Sequence, residues 1–219
     1  MTTRRHLIAL CAVIALAPPL GALAQPAPAQ QGSGVSAADQ ALVDKAVAYL
    51  QGLGEAHGRF TQTDARGATT TGELFLKRPG KARFAYDPPS GLLVVSDGGR
   101  VIVQDKRLNS FTAYPLGATP LSLFLAKTIR LDKGVQVIHV AHAADGFTIT
   151  ARDGKKETAG QIALTFTSAP MALIGWTVTD AQGRATNIRI TGLAPAAGLD
   201  PALFVLKDTR PKPSDPGRL

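Results

Sequence analysis

The chain has 219 residues, of which 45% are hydrophobic, 18% charged and 5% aromatic, with 22 Gly, 15 Pro, one Cys and a net charge of +8. That apolar content supports a real core and excludes a wholly disordered chain, and the length suits one or at most two domains. A single cysteine excludes an internal disulfide scaffold, and glycines without a three-residue period exclude a collagen-like chain.

In chain order, Arg4 and Arg5 precede the apolar run Leu7 to Leu20, and Ala22-Leu23-Ala24 follows. This charged, apolar, small-residue order predicts a secretory signal peptide over residues 1–24, too short to span a bilayer comfortably. Thr3-Arg4-Arg5-His6-Leu7 also resembles a twin-arginine signal, although ordinary Sec export fits better. Leu10 before Cys11 does not suit a lipoprotein processing site, so Cys11 is not read as acylated. Removing the segment leaves 195 residues and no cysteine; the two arginines lost with it lower the net charge to +6. Such an exported chain depends on its core rather than on disulfides.

Residues 25–35 form a flexible leader, residues 36–206 a single continuous domain, and residues 207–219, with Pro211, Pro213 and Pro216, a flexible tail. The domain opens with a helix. Ser36 is placed to cap it with Asp39 three residues on, and Ala38, Leu42, Ala46, Leu50 and Leu53 recur at helical spacing up to Gly54. After Gly54 the period becomes two: Leu74/Leu76/Arg78, Val101/Val103, Phe147/Ile149/Ala151, Ile162/Leu164/Phe166, Ile174/Trp176/Val178 and Ile188/Ile190. Polar residues fill many intervening slots, the pattern of half-buried antiparallel strands. Asp97-Gly98, Asp145-Gly146, Asp153-Gly154 and Gln182-Gly183 supply turn residues that tolerate positive φ. About ten strands are expected. Thr119-Pro120 interrupts them as a cap and first-turn proline, opening a short apolar helix with Leu121, Leu123, Phe124 and Leu125. The expected fold is mainly β: a strongly curved, unclosed antiparallel half-barrel with one N-terminal helix and one short inserted helix, the latter at the mouth.

The chemistry is sparse. His57, His139 and His142 have no cysteine or clustered carboxylates to complete a zinc site, so no metal and no cofactor is expected. Neither a Gly-x-Ser-x-Gly elbow nor a phosphate loop is present, so no catalytic residue is assigned. The pI near 9.9 comes from scattered Lys and Arg, with no basic run longer than Lys155-Lys156 and few aromatics to stack bases, which argues against nucleic acid. Arg78 is the informative charge. It shares a face with Leu74 and Leu76, and Pro79 holds it extended, so the guanidinium points to the apolar side. There it either snorkels to water or donates to backbone carbonyls of the mouth-covering helix.

Gly72 to Gly80 (GELFLKRPG), Lys81 to Tyr86 (KARFAY), Pro88-Pro89 and Val94 to Gly98 (VVSDG) resemble, in order and spacing, the LolA family of periplasmic lipoprotein carriers. Phe60-Thr61-Gln62, the segment Thr119 to Leu125 and Leu199 to Phe204 extend the resemblance over most of residues 36–206. Ala82 departs from it, standing where many members carry a bulky aromatic. The resemblance implies an unclosed barrel with a helical lid that takes acylated lipoproteins from an inner-membrane lipoprotein-releasing ABC transporter. It hands them to an outer-membrane receptor, where one is present. The chain would then be a periplasmic monomer and not an enzyme, with the family's lid-contacting arginine falling on Arg78. The acyl-chain cavity is expected from Leu74, Leu76, Phe84, Val101, Val103, Ile149, Leu164, Trp176 and Ile188, mostly aliphatic with few aromatics. The lid would be Leu121, Leu123, Phe124 and Leu125, latched by Arg78. The alternative is a general lipid or hydrophobic-ligand binder on the same scaffold. A receptor anchored in the outer membrane would need an acylated N-terminal cysteine, and a lipid hydrolase would need catalytic groups that the sequence does not display.

Overall fold

A computed structural model describes residues 35–129, 135–154 and 160–210. The signal peptide, nearly all of the leader, Cys11, Lys155-Lys156 and the tail from Pro211 onward lie outside the described residues.

Helix α1 (Ala37–Gly52) starts where sequence chemistry requires it: the Ser36 hydroxyl accepts the Asp39 N–H. Its buried stripe is Val43, Ala46, Leu50 and Leu53, with Leu42 only partly covered and Ala38 exposed. The first turn therefore projects beyond the core that the later turns pack against.

The strands are β1 (Glu55–Thr63), β2 (Thr69–Lys77), β3 (Lys81–Tyr86), β4 (Leu92–Asp97), β5 (Arg100–Asp105) and β6 (Ser110–Pro115). After helix α2 (Leu121–Leu125) come β7 (Val135–His142), β8 (Gly146–Asp153), β9 (Gln161–Ser168), β10 (Met171–Thr179) and β11 (Ala185–Pro195). Among the described residues these eleven strands, one more than the ten or so expected, make one antiparallel sheet in the order β6-β5-β4-β3-β2-β1-β11-β10-β9-β8-β7. Each chain neighbour pairs with the next, except that β1 pairs with β11 and the β6–β7 connection is left out of the ladder. The sheet is an unclosed half-barrel, and α2 lies on the connection between its two edge strands.

Register places side chains on two faces. Rungs such as Leu74↔Phe84↔Val94↔Val103 and Gln62↔Ile188↔Trp176↔Leu164↔Ile149 carry one face across the sheet. That face and α1, with α2 residues Phe124 and Leu125, form one continuous buried cluster, so both helices lie on the concave side. The convex side has a smaller cover. A 3₁₀ turn at Pro201–Phe204 packs on β3 and β4, Arg83 donates to the Leu203 carbonyl at 3.0 Å, and Lys77 donates to the Leu199 carbonyl at 3.0 Å. Beneath this segment the outward-facing Val95 and Ile102 are buried, as is Phe204 itself.

Two local expectations change. Ile174 does not share a face with Trp176, because a bulge between Leu173 and Gly175 shifts the register; Leu173 and Trp176 are buried and Ile174 is exposed. Gly146 does not have positive φ; it is needed instead because a Cβ there would sit 2.0 Å from the Phe166 carbonyl oxygen.

Candidate functional site

All nine residues expected to line a cavity share the concave face. Eight of them are buried in the common cluster, whereas Val103, one strand from the β6 edge, is only partly buried. Ala82 also faces inward, buried between Leu76 and Ser96 on one rung. The expectation of few aromatics on this face is corrected. Phe60, Phe84, Tyr86, Phe147, Phe166 and Trp176, half of the twelve aromatic residues, are here. A low overall aromatic content concealed a local concentration. Phe60, Tyr86, Phe147 and Phe166 add to the expected lining, and strand alternation puts them in phase with it.

Four of these rings, Phe60, Phe84, Tyr86 and Trp176, form a connected set, and Phe147 stacks on Phe166 apart from them at 5.4 Å. Edge contacts join Phe60 to Phe84 (5.4 Å between centroids), Phe60 to Tyr86 (5.0 Å) and Phe84 to Trp176 (5.9 Å). The lid closes onto it, with Phe124 of α2 5.5 Å from Trp176. Phe124 and Leu125 are almost fully buried, and Leu121 and Leu123 partly so. Thr119 does not cap α2 with its side chain. Its hydroxyl donates back to the Leu116 carbonyl at 2.9 Å, satisfying the preceding 3₁₀ turn, while its own carbonyl accepts the Ser122 hydroxyl.

Arg78 joins the two helices. Its guanidinium donates to the Leu50 carbonyl in the last turn of α1 and to the Ala126 carbonyl just beyond α2, the latter at 2.6 Å. Helix α1 has no basic residue in its own last turn, so a strand supplies the cation that its C-terminal carbonyls favour. Burial pushes the guanidinium below its ordinary pKa, a cost that carbonyl donation offsets. The backbone adds a second tie, because the Gly80 N–H donates to the Leu125 carbonyl at 2.8 Å and the buried Ser96 hydroxyl donates to the Gly80 carbonyl at 2.6 Å. Gly80 has φ +76°, and a Cβ there would meet the Gly98 Cα at 2.8 Å, so this link needs glycine.

At the α1 N-terminus, His142 Nε2 lies 2.7 Å from an Asp39 carboxylate oxygen, a contact between residues 103 apart in the chain that periodicity does not display. The Ser36 hydroxyl, and then His142, hold Asp39 below the usual carboxylate range. His57 stacks on Phe75 at 4.4 Å on the convex side. Among the described residues, no group of three His, Cys, Asp or Glu side chains is placed to hold a metal, and no helix is long and apolar enough to cross a membrane.

A cleft of about 280 Å³ opens beside the lid, with Phe84, Val94, Trp176 and Ile188 in its wall and Gln62 and Tyr86 at its rim. The Tyr86 hydroxyl donates to Gln62 Oε1 at 2.6 Å. A larger opening of about 360 Å³ lies between Thr69–Thr71 and Arg107, but Asp87 and hydroxyl groups in its walls offer nothing to an acyl chain. The concave face is apolar and buried beneath α1 and α2, with the cleft beside α2.

The family model described as "Outer membrane lipoprotein carrier protein LolA" matches residues 51–207. The chain belongs to the LolA family. This LolA-family chain is 27% identical to an outer-membrane lipoprotein carrier protein of Cupriavidus taiwanensis, over 86% of the chain and 87% of that relative. It is 32% identical to one of Methylibium petroleiphilum over 41% of the chain, a stretch spanning 49%, about half, of that relative. A solved LolA superfamily protein from Nitrosomonas europaea overlaps 74% of the chain and 97% of its own, at 9% identity and a TM-score of 0.43.

Proposed function

We propose that this LolA-family protein is a periplasmic, monomeric carrier that shields the acyl chains of lipoproteins. It receives them from an inner-membrane lipoprotein-releasing ABC transporter and delivers them to the outer membrane, to a receptor where one is present. It acts as a binding protein and not as an enzyme. The observation that carries this reading is the continuous apolar concave face covered by a five-residue helix, which Arg78 and one Gly80 backbone bond hold down.

An acyl chain loses about 0.8 kcal/mol of unfavourable hydration for each methylene buried, so a triacylated anchor crosses water only inside a cover of this kind. The cover must also let go. Few polar ties hold α2, and its contacts with Trp176 are apolar, so entering chains replace like with like. Arg78 acts as the latch, and Leu74, Leu76, Phe84, Val101, Val103, Ile149, Leu164, Trp176 and Ile188 as the lining.

Adding residues 25–219 to spheroplasts that hold labelled outer-membrane lipoproteins tests the reading. ATP-dependent appearance of label in a soluble one-to-one complex is expected. Bound phospholipid without lipoprotein release would instead support a general lipid binder.

A further inference from the structure

The cleft beside the lid has an unusual hydrogen-bonding balance for a site that holds hydrocarbon. Its wall and rim present Gln62, Tyr86, Thr119, Thr186 and Trp176 as polar groups, and no charged side chain lines it. Two of these are already spent internally. The Tyr86 O–H donates to Gln62 Oε1, and the Thr119 hydroxyl donates to the Leu116 carbonyl.

Two nitrogen donors are left over. With its oxygen engaged, Gln62 keeps its amide N–H groups, which have no partner among the described residues. The indole N–H of Trp176, a residue 2% exposed, is buried with no hydrogen-bond partner among the described residues. Water does not reach it, and a buried donor without an acceptor is costly and rare in native proteins. Gln62 pairs with Ile188, which pairs with Trp176, so the two residues stand on one rung of the concave face, their backbones two strand spacings or about 10 Å apart.

From this arrangement we infer that the cleft is a subsite for the uncharged ester carbonyls at the head of the acyl chains. The Gln62 amide donates to one at the rim, the other enters beneath the lid to reach the Trp176 indole that water does not, and the chains run on from there. The inference rests on the carrier reading and adds the chemical class of the group held at the cavity opening. An uncharged cleft with free donors calls for a neutral acceptor; a carboxylate or phosphate head would bring a charge that no lining residue neutralises. The diacylglyceryl linkage of a lipoprotein has two such carbonyls, each joined to an alkyl chain.

The test compares a synthetic triacylated lipopeptide with its dialkyl ether analogue, which keeps the chains and the N-acyl amide but lacks the two ester carbonyls. The full mature chain is titrated with each. The ester form is expected to bind about tenfold more tightly, the size of one to two hydrogen bonds to otherwise unpaired donors. In Gln62→Leu and, separately, Trp176→Phe, the ratio of ester to ether affinity measured within each variant shrinks toward one. Equal binding of both forms to the unaltered protein overturns the subsite and leaves the carrier reading standing, as does a full tenfold ratio retained in both variants. Binding of neither lipopeptide overturns both.

Discussion

Tyr86 illustrates how far the fold changes a single side chain. Burial pushes its phenol from the ordinary value near 10 up to about 12. The folded state therefore holds the Tyr86 proton more tightly than the unfolded chain does. The stability this contributes is complete below pH 10 and is lost as pH rises through 12. Between pH 8 and pH 11 the unaltered protein should lose about 1 kcal/mol more unfolding free energy than Tyr86→Phe, one pKa unit being worth about 1.4 kcal/mol. Urea midpoints at the two pH values check this, and parallel losses in both proteins would count against it. Strand parity alone put Arg78 on the apolar face, and the structure has it there, because alternation is a local property. Parity could not show that the Leu50 carbonyl, 28 residues away, is a second acceptor, or that Asp39 meets His142 across 103 residues.

The elements differ in how readily the sequence displays them. Strands β2, β5 and β8 to β11 were legible through alternating residues, and α2 through Thr119-Pro120 ahead of a run of Leu and Phe. The bulge at Leu173/Gly175 was not legible, since it arises from pairing with β9 and leaves no mark on the composition of β10. The convex cover was equally hidden. Residues 196–210 hold Leu199, Leu203, Phe204, Val205 and Leu206 without a helical or strand period, and their place is fixed by distant partners such as Glu55, Lys77 and Arg83. What joins α1 to α2 is a strand residue, and Arg78→Leu should separate them without unfolding the sheet. Loss of its bonds costs the closed lid about 1–3 kcal/mol, so amides of residues 121–126 should exchange with solvent roughly ten- to a hundredfold faster. Exchange at the unaltered rate in a folded variant would mean that Arg78 does not hold the lid.

At the scale of the whole molecule, the unclosed sheet divides the work between its faces. The convex face is sealed by a chain segment with a small apolar core of its own around Val95, Ile102 and Phe204. The concave face is covered by two helices that meet at one arginine. The covering helix is short, its contact with the aromatic set passes through Phe124, and the connection that carries it lies between the two edge strands. Trp176 is the protein's one tryptophan and sits under that lid, so it reports directly on what enters. The decisive measurement is quenching of Trp176 fluorescence by a triacylated lipopeptide with brominated chains, set against the same lipopeptide without bromine. Strong quenching that saturates at one lipopeptide per protein, by the brominated form alone, is expected of chains held beneath the lid. One-to-one binding that leaves Trp176 unquenched would contradict it, because the chains would then lie somewhere other than beneath the lid.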